Sequence, residues 1–265
     1  MDESGSKLFS ETPEEQRARL DALWLHCDFV EHDPELLTLF NRKKSGDLKR
    51  KPKEILQEHG YPERTSIDEL RLKSPRPALN PKFIKDGFMY LLRGDYPGVD
   101  KKGLYARTYG YGKLSTKQLV EKIFSAQEMG YALYGDERYL TKATPTYTNK
   151  AEELAHAQSA RGGSSFISAT TSIPCAKAGT GNVPDPAEQA EYKIYVLKIP
   201  VEYAVCTNIG DAFLIEEDEV LVPDYVEQDE IIATFDRDKS EDIYQYLHSI
   251  LGVTREDVKI EPTHK

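Results

Sequence analysis

The spacing of hydrophobic positions changes once along this chain, near Pro81. Before it, apolar residues recur three and four apart, the period of an amphipathic helix. Thr12-Pro13-Glu14-Glu15 combines a hydroxyl cap, a proline at the first helical position and acids in the first turn. Leu20, Leu23, Trp24 and Cys27 then form one apolar stripe. Asp33-Pro34-Glu35 repeats the capping pattern ahead of Leu36, Leu37, Leu39 and Phe40. Lys43 to Lys53 is polar and basic and reads as a loop. A short helix is expected around Glu54 to Glu58, stopped at Gly60. Ser74 to Pro81 contains three prolines and reads as an irregular connector.

After Pro81 the pattern is that of short strands. Phe88-Met89-Tyr90-Leu91-Leu92 is an apolar run suited to a buried strand. Ser165 to Ser172 is rich in hydroxyl and β-branched residues, and Tyr192 to Pro200 alternates with period two. Tyr203 to Cys206, Glu219 to Val222 and Glu230 to Phe235 are further strand candidates. Helices are expected from Ser115 or Thr116 to Gly130, from Asn149 towards Gly162, and from Ser240 to Leu251 with Ile243, Leu247, Ile250 and Leu251 on one side. The fold class is therefore α+β. A helical region over residues 1–80 precedes a mixed region over 81–265.

Composition narrows the function classes. The 265 residues are 39% hydrophobic and 30% charged, enough to build a core. The net charge of -10 disfavours a sequence-independent nucleic-acid binder, although Arg42 to Lys51 is locally basic. Cys27, Cys175 and Cys206 have no metal-ligand spacing, and the six histidines form no metal-binding pattern, so no metal is expected. No apolar run is long enough to span a bilayer, and the N-terminus lacks a basic region followed by an apolar one. A soluble protein without a conventional secretory signal is expected, with export by a specialised system left open.

Three segments carry candidate chemistry. Leu92-Arg93-Gly94-Asp95 ends an apolar strand. Ser165 to Ser172 presents Ser168, Thr170 and Ser172 on one face if extended. Glu216-Glu217-Asp218-Glu219 precedes the apolar Val220-Leu221-Val222. Singly, each reads as a solvated strand end, a solvated face and a solvated turn. Together, an arginine fork, a row of hydroxyls and a carboxylate suit a substrate carrying phosphates and a ribosyl bond to be broken.

In this order the segments resemble the Arg–Ser–Glu, cholera-toxin-like class of mono-ADP-ribosyltransferases. That class pairs an arginine-containing first strand with an aromatic-hydrophobic-serine motif and a glutamate-any-glutamate motif. The matches are Arg93-Gly94-Asp95, Phe166-Ile167-Ser168-Ala169-Thr170 and Glu217-Asp218-Glu219, with Gly103-Leu104 a softer one. The resemblance spans about residues 85–237. It departs at Ala169 and Thr170, where threonine and serine are usual, and in the long interval from Arg93 to Ser168. Arg107 is an alternative first-motif arginine.

The resemblance implies two small packed β-sheets around an NAD cleft, with NAD as substrate and no metal. It implies that Arg93 holds NAD, with Gly94, Asp95, Thr170 and Tyr147 beside the cofactor. Ser168 would position Glu219, Glu219 would bind the nicotinamide ribose, and Glu217 would serve the acceptor. The expected partner is an acceptor protein, that of a host cell for the toxin and effector members. The helical region over 1–80 is then a target-recognition element or a packing appendage. Transfer to RNA or a small molecule, and a catalytically inactive interaction module, are the alternatives.

Overall fold

Proline opens each of the first three helices, where its missing N–H costs no intrahelical bond. They are α1 (Pro13–Trp24), α2 (Pro34–Phe40) and α3 (Pro52–Glu58). Thr12 and Glu15 cap α1 reciprocally: Thr12 Oγ1 accepts from the Glu15 amide at 3.2 Å, and Glu15 Oε2 accepts from the Thr12 amide at 2.8 Å. Asp33 Oδ1 caps α2 by accepting from the amides of Glu35 and Leu36 at 2.9 and 3.0 Å. α3 starts two residues ahead of the expected Glu54, because Pro52 already satisfies the first-turn geometry. These features come from a computed structural model that describes residues 11–24, 33–41, 46–70, 79–106, 115–118, 166–179, 190–206 and 218–260.

The strands are β1 (Ile84–Lys85), β2 (Phe88–Asp95), β3 (Leu104–Tyr105), β4 (Phe166–Thr170), β5 (Lys193–Pro200), β6 (Val205–Cys206), β7 (Glu219–Pro223), β8 (Tyr225–Val226) and β9 (Ile231–Asp236). One open sheet has the order β6-β7-β4-β2-β5-β9, with β1 paired to β2, and a two-stranded sheet joins β3 to β8. Every pairing is antiparallel. β2 and β5 pair along their whole lengths, from Phe88 opposite Pro200 to Asp95 opposite Lys193. The fold is thus α+β, a helical N-terminal stretch followed by two open sheets.

Among the described residues, further helices include α4 (Ile173–Ala178) and α5 (Ser240–Leu251). α5 buries Ile243 and Leu247 on the face its periodicity predicts. Leu36 and Leu39 of α2, and Ile55 and Leu56 of α3, join the same hydrophobic cluster as Leu91, Tyr195, Val196, Val222 and these two α5 residues. α2 and α3 therefore share the core of the larger sheet.

Two element boundaries differ from the sequence expectation. The strand expected over Ser165 to Ser172 ends at Thr170, and Ser172 instead caps α4, its Oγ accepting from the Cys175 amide at 3.3 Å. Pro174 then lies in the first turn of that helix, where its missing N–H is no loss. Tyr203 belongs to a one-turn 3-10 helix, Val201–Tyr203, so β6 begins only at Val205. A helix begins at 116, as expected; its continuation and the one expected from Asn149 lie outside the described residues.

A buried carboxylate ties distant parts of the chain together. Asp224, fully buried between β7 and β8, accepts from the Thr65 amide and hydroxyl at 2.7 and 2.6 Å through Oδ2. Its Oδ1 accepts from the amide and hydroxyl of Thr116, the hydroxyl at 2.8 Å. Its own carbonyl accepts from the Ala106 amide at 2.6 Å. Burial pushes the Asp224 carboxyl above the usual carboxylate range, against the pull of these four side-chain hydrogen bonds.

Candidate active site

Arg93, Ser168 and Glu219 lie on β2, β4 and β7, three neighbouring strands of the larger sheet. Leu92 stands opposite Thr170, and Thr170 opposite Glu219, so one row of residues crosses all three strands. Antiparallel partners share a face, and so do residues two apart on one strand. Glu219, Thr170 and Ser168 consequently present their side chains on the same side. The diagonal between Ser168 and Glu219 is closed by a hydrogen bond: Ser168 Oγ donates to Glu219 Oε1 at 2.5 Å. Ser168 is exposed, whereas Glu219 retains only 6% of its accessible surface. A carboxylate so withdrawn from water acts on a nearby charge much more strongly than one in bulk solvent.

Arg93 follows the row on β2. Its Nε donates to Asp95 Oδ2 at 3.0 Å, and its guanidinium also donates to the backbone carbonyl of Ser168. Asp95 is almost completely buried and accepts from the Tyr96 amide at 2.8 Å through Oδ1. It therefore anchors Arg93 and caps the turn after β2 at once, the two roles its position allows. Gly94, between them, faces the other way along the strand. Across β5 the register partner of Arg93 is Tyr195, whose hydroxyl donates to the Tyr96 carbonyl at 2.6 Å. Burial raises the Tyr195 phenol well above its ordinary range, so it stays a neutral donor.

A cavity of about 30 Å³ adjoins Arg93 and Asp95, with Leu39, Phe40, Tyr105 and Ile167 among its walls. That is the space of about one water. A larger cavity, about 450 Å³, is lined by Lys53, Arg64, Phe88, Lys198, Tyr203 and Glu230 among others. It contains none of Arg93, Ser168 and Glu219. It lies at the Phe88 end of β2, whereas Arg93 is near the opposite end. Its cations are already engaged. Arg64 bonds both oxygens of Glu230 at 2.5 and 2.7 Å and stacks 3.9 Å from the Tyr203 ring. Lys53 pairs with Glu227 at 3.2 Å, and Lys198 sits 4.3 Å from the Phe88 ring. The larger cavity and the Ser168–Glu219 pair thus lie in different places.

Of the candidate residues, Ser168, Thr170 and Glu219 share one face of the sheet, while Arg93 and Asp95, on the adjacent strand, alternate to the other face, where Ile167 also points. Glu217, Tyr147 and the alternative Arg107 lie outside the described residues. Among the described residues no group of histidine, cysteine and carboxylate side chains is arranged to hold a metal ion. No helix among them is long and apolar enough to cross a membrane. One contact beside Glu219 was invisible in the sequence: Lys259 Nζ lies 2.9 Å from Asp218 Oδ2. No pattern links positions 41 residues apart through a turn. Comparison of the chain with protein-family models, curated proteins and solved structures finds no match.

Proposed function

We propose that this chain is a mono-ADP-ribosyltransferase that splits NAD and transfers ADP-ribose to a side chain of an acceptor protein. The observation that carries the reading is the hydrogen bond from Ser168 to Glu219 across β4 and β7, with Arg93 on the next strand, β2, donating to the Ser168 carbonyl. These residues come from three segments whose order and composition resemble the Arg–Ser–Glu class. The acceptor, a host protein in the toxin and effector members of that class, follows from the resemblance alone.

The resemblance gives Arg93 the phosphates or ribose of NAD, and buried Asp95 holds its guanidinium. Ser168 holds one oxygen of Glu219, leaving the carboxylate directed at the nicotinamide ribose. The bond from the ribose C1' to the nicotinamide nitrogen breaks, and its electron pair leaves with nicotinamide. The positive charge left on the ribose is stabilised by Glu219, which is worth most in a water-poor setting. A bond then forms between C1' and the acceptor nucleophile, whose proton passes to a carboxylate, the role the resemblance gives Glu217.

The test is Glu219→Gln, which preserves shape and removes charge. Loss of one such electrostatic group lowers a rate by about 10²- to 10³-fold. Nicotinamide release from NAD by the purified variant is expected to fall by that factor, with folding unchanged by circular dichroism. Release at the wild-type rate refutes the assignment.

A further inference from the structure

The C-terminal turn touches the chain on both sides of the Ser168–Glu219 pair. Residues 254–260 fold back on themselves: the Thr254 amide and hydroxyl both donate to Asp257 Oδ2 at 2.8 Å. The Lys259 amide donates to the Glu256 carbonyl at 3.0 Å, and the Ile260 amide to the Arg255 carbonyl at 2.9 Å. Val258 is fully buried in the main core, which fixes the turn against the sheet. From this anchor two contacts reach the site. The Val258 carbonyl accepts from the Ile173 amide at 3.1 Å, just beyond the end of β4. Lys259 Nζ meets Asp218 Oδ2 at 2.9 Å, and Asp218 directly precedes Glu219.

β4 and β7 are antiparallel, with Thr170 opposite Glu219, so the end of one and the start of the other lie side by side. The turn therefore grips the two strands where the carboxylate is presented. Both partners of the ion pair have left-handed backbones, φ 47° at Asp218 and φ 57° at Lys259. That conformation is uncommon for any residue with a side chain and persists where surrounding contacts impose it. At Asp218 it sets the direction in which the chain enters β7, and hence where the Glu219 side chain begins.

We propose that Lys259 is a positioning residue: by holding Asp218 it orients the Glu219 carboxylate against Ser168. The inference rests on the transferase reading and adds to it a part of the chain outside the three recognised segments. Lys259 reaches the site through Asp218, the residue before Glu219. Its removal therefore changes turnover rather than NAD binding.

The experiment uses the full chain and measures kcat and KM for nicotinamide release with NAD as substrate. Lys259→Met keeps the aliphatic stem and removes the charge; Lys259→Arg restores a cation. Kcat is expected to fall about fivefold in K259M, the factor an exposed ion pair can transmit. KM should hold, and K259R should recover most of the rate. Asp218→Asn should produce a similar fall, and the double variant D218N/K259M should be no slower than either single one, because both remove the same contact. Lys82→Ala breaks another ion pair of this turn, Lys82–Asp257 at 2.6 Å, and should leave kcat unchanged. Wild-type kcat in K259M, or additive losses in the double variant, overturns the inference while an inactive E219Q keeps the transferase reading intact. An active E219Q overturns both.

Discussion

Asp224 offers the sharpest test of how the N-terminal helices are attached. Asparagine is the informative substitution, because it matches the aspartate in volume and also tolerates the left-handed backbone, φ 62°, at this position. In the native fold each carboxylate oxygen takes two hydrogen bonds, one from an amide and one from a hydroxyl. In Asp224→Asn one oxygen becomes an NH₂ group that faces two donors. A hydroxyl can rotate to another acceptor, but a buried amide, whether of Thr65 or Thr116, cannot. An unsatisfied buried amide costs about 1–3 kcal/mol, and lost hydrogen bonds to a charged acceptor about 1.5–3 kcal/mol each. Relief of the buried charge returns part of this. A net loss of about 2–3 kcal/mol is expected, a large share of the roughly 5–15 kcal/mol that holds a typical domain together. Urea denaturation at neutral pH should show a lower midpoint. Hydrogen exchange should show faster exchange at the amides of Thr65 and Thr116 ahead of the β2 and β5 amides. A midpoint shift equivalent to less than about 0.5 kcal/mol refutes the view that this carboxylate fastens the segment around Thr65 to the sheet.

Two further substitutions probe the site and its support. Ser168→Ala removes the hydrogen bond to Glu219 from an exposed side chain, so nicotinamide release should fall about 10- to 100-fold, the value of a bond to a charged group, with little change in thermal stability; a rate within twofold of wild type would show that Glu219 needs no such support. Gly103 has φ +85°, and a Cβ there would stand 2.4 Å from the Val226 carbonyl oxygen, so Gly103→Ala should cost about 3 kcal/mol or more by thermal unfolding. Gly87, with φ +80° and open space around it, is the comparison: its alanine variant should cost only about 1–2 kcal/mol, and equal losses at both positions would contradict the close approach of β3 to β8.

The parts of the fold that were legible in the sequence are those in which one local pattern decides the outcome. β5 alternates over its whole length, and α5 carries an apolar face at helical spacing behind an acidic first turn. β4 was half legible. Its hydroxyls suggest a strand running through Ser172, but the proline after Ile173 favours a helix start, and Ser172 caps it. The row of Ser168 and Thr170 on one face was legible from alternation, and its meeting with Glu219 rested on resemblance. What was not legible depends on contacts between remote positions. Asp224 with Thr65 and Thr116, Arg64 with Glu230, and Lys259 with Asp218 join residues far apart in sequence through one or two polar atoms each. Such contacts leave no periodicity, because a single side chain reaching one remote polar group constrains nothing about its neighbours.

The order of the strands explains how an interval of 75 residues between Arg93 and Ser168 is compatible with a compact site. Loop closure grows dearer only slowly with length, each doubling adding about 0.6 kcal/mol. The sheet order β7-β4-β2 depends on pairing, not on the length of the chain between strands. Once Leu92 pairs with Thr170 and Thr170 with Glu219, the three candidate residues are confined to neighbouring strands about 4.8 Å apart. An insertion before β4 therefore leaves these residues where they were. A shift of β4 by one residue would not, since it would turn Ser168 to the opposite face and separate it from Glu219. The register of β4 against β7 is accordingly the geometric condition on which the catalytic reading depends.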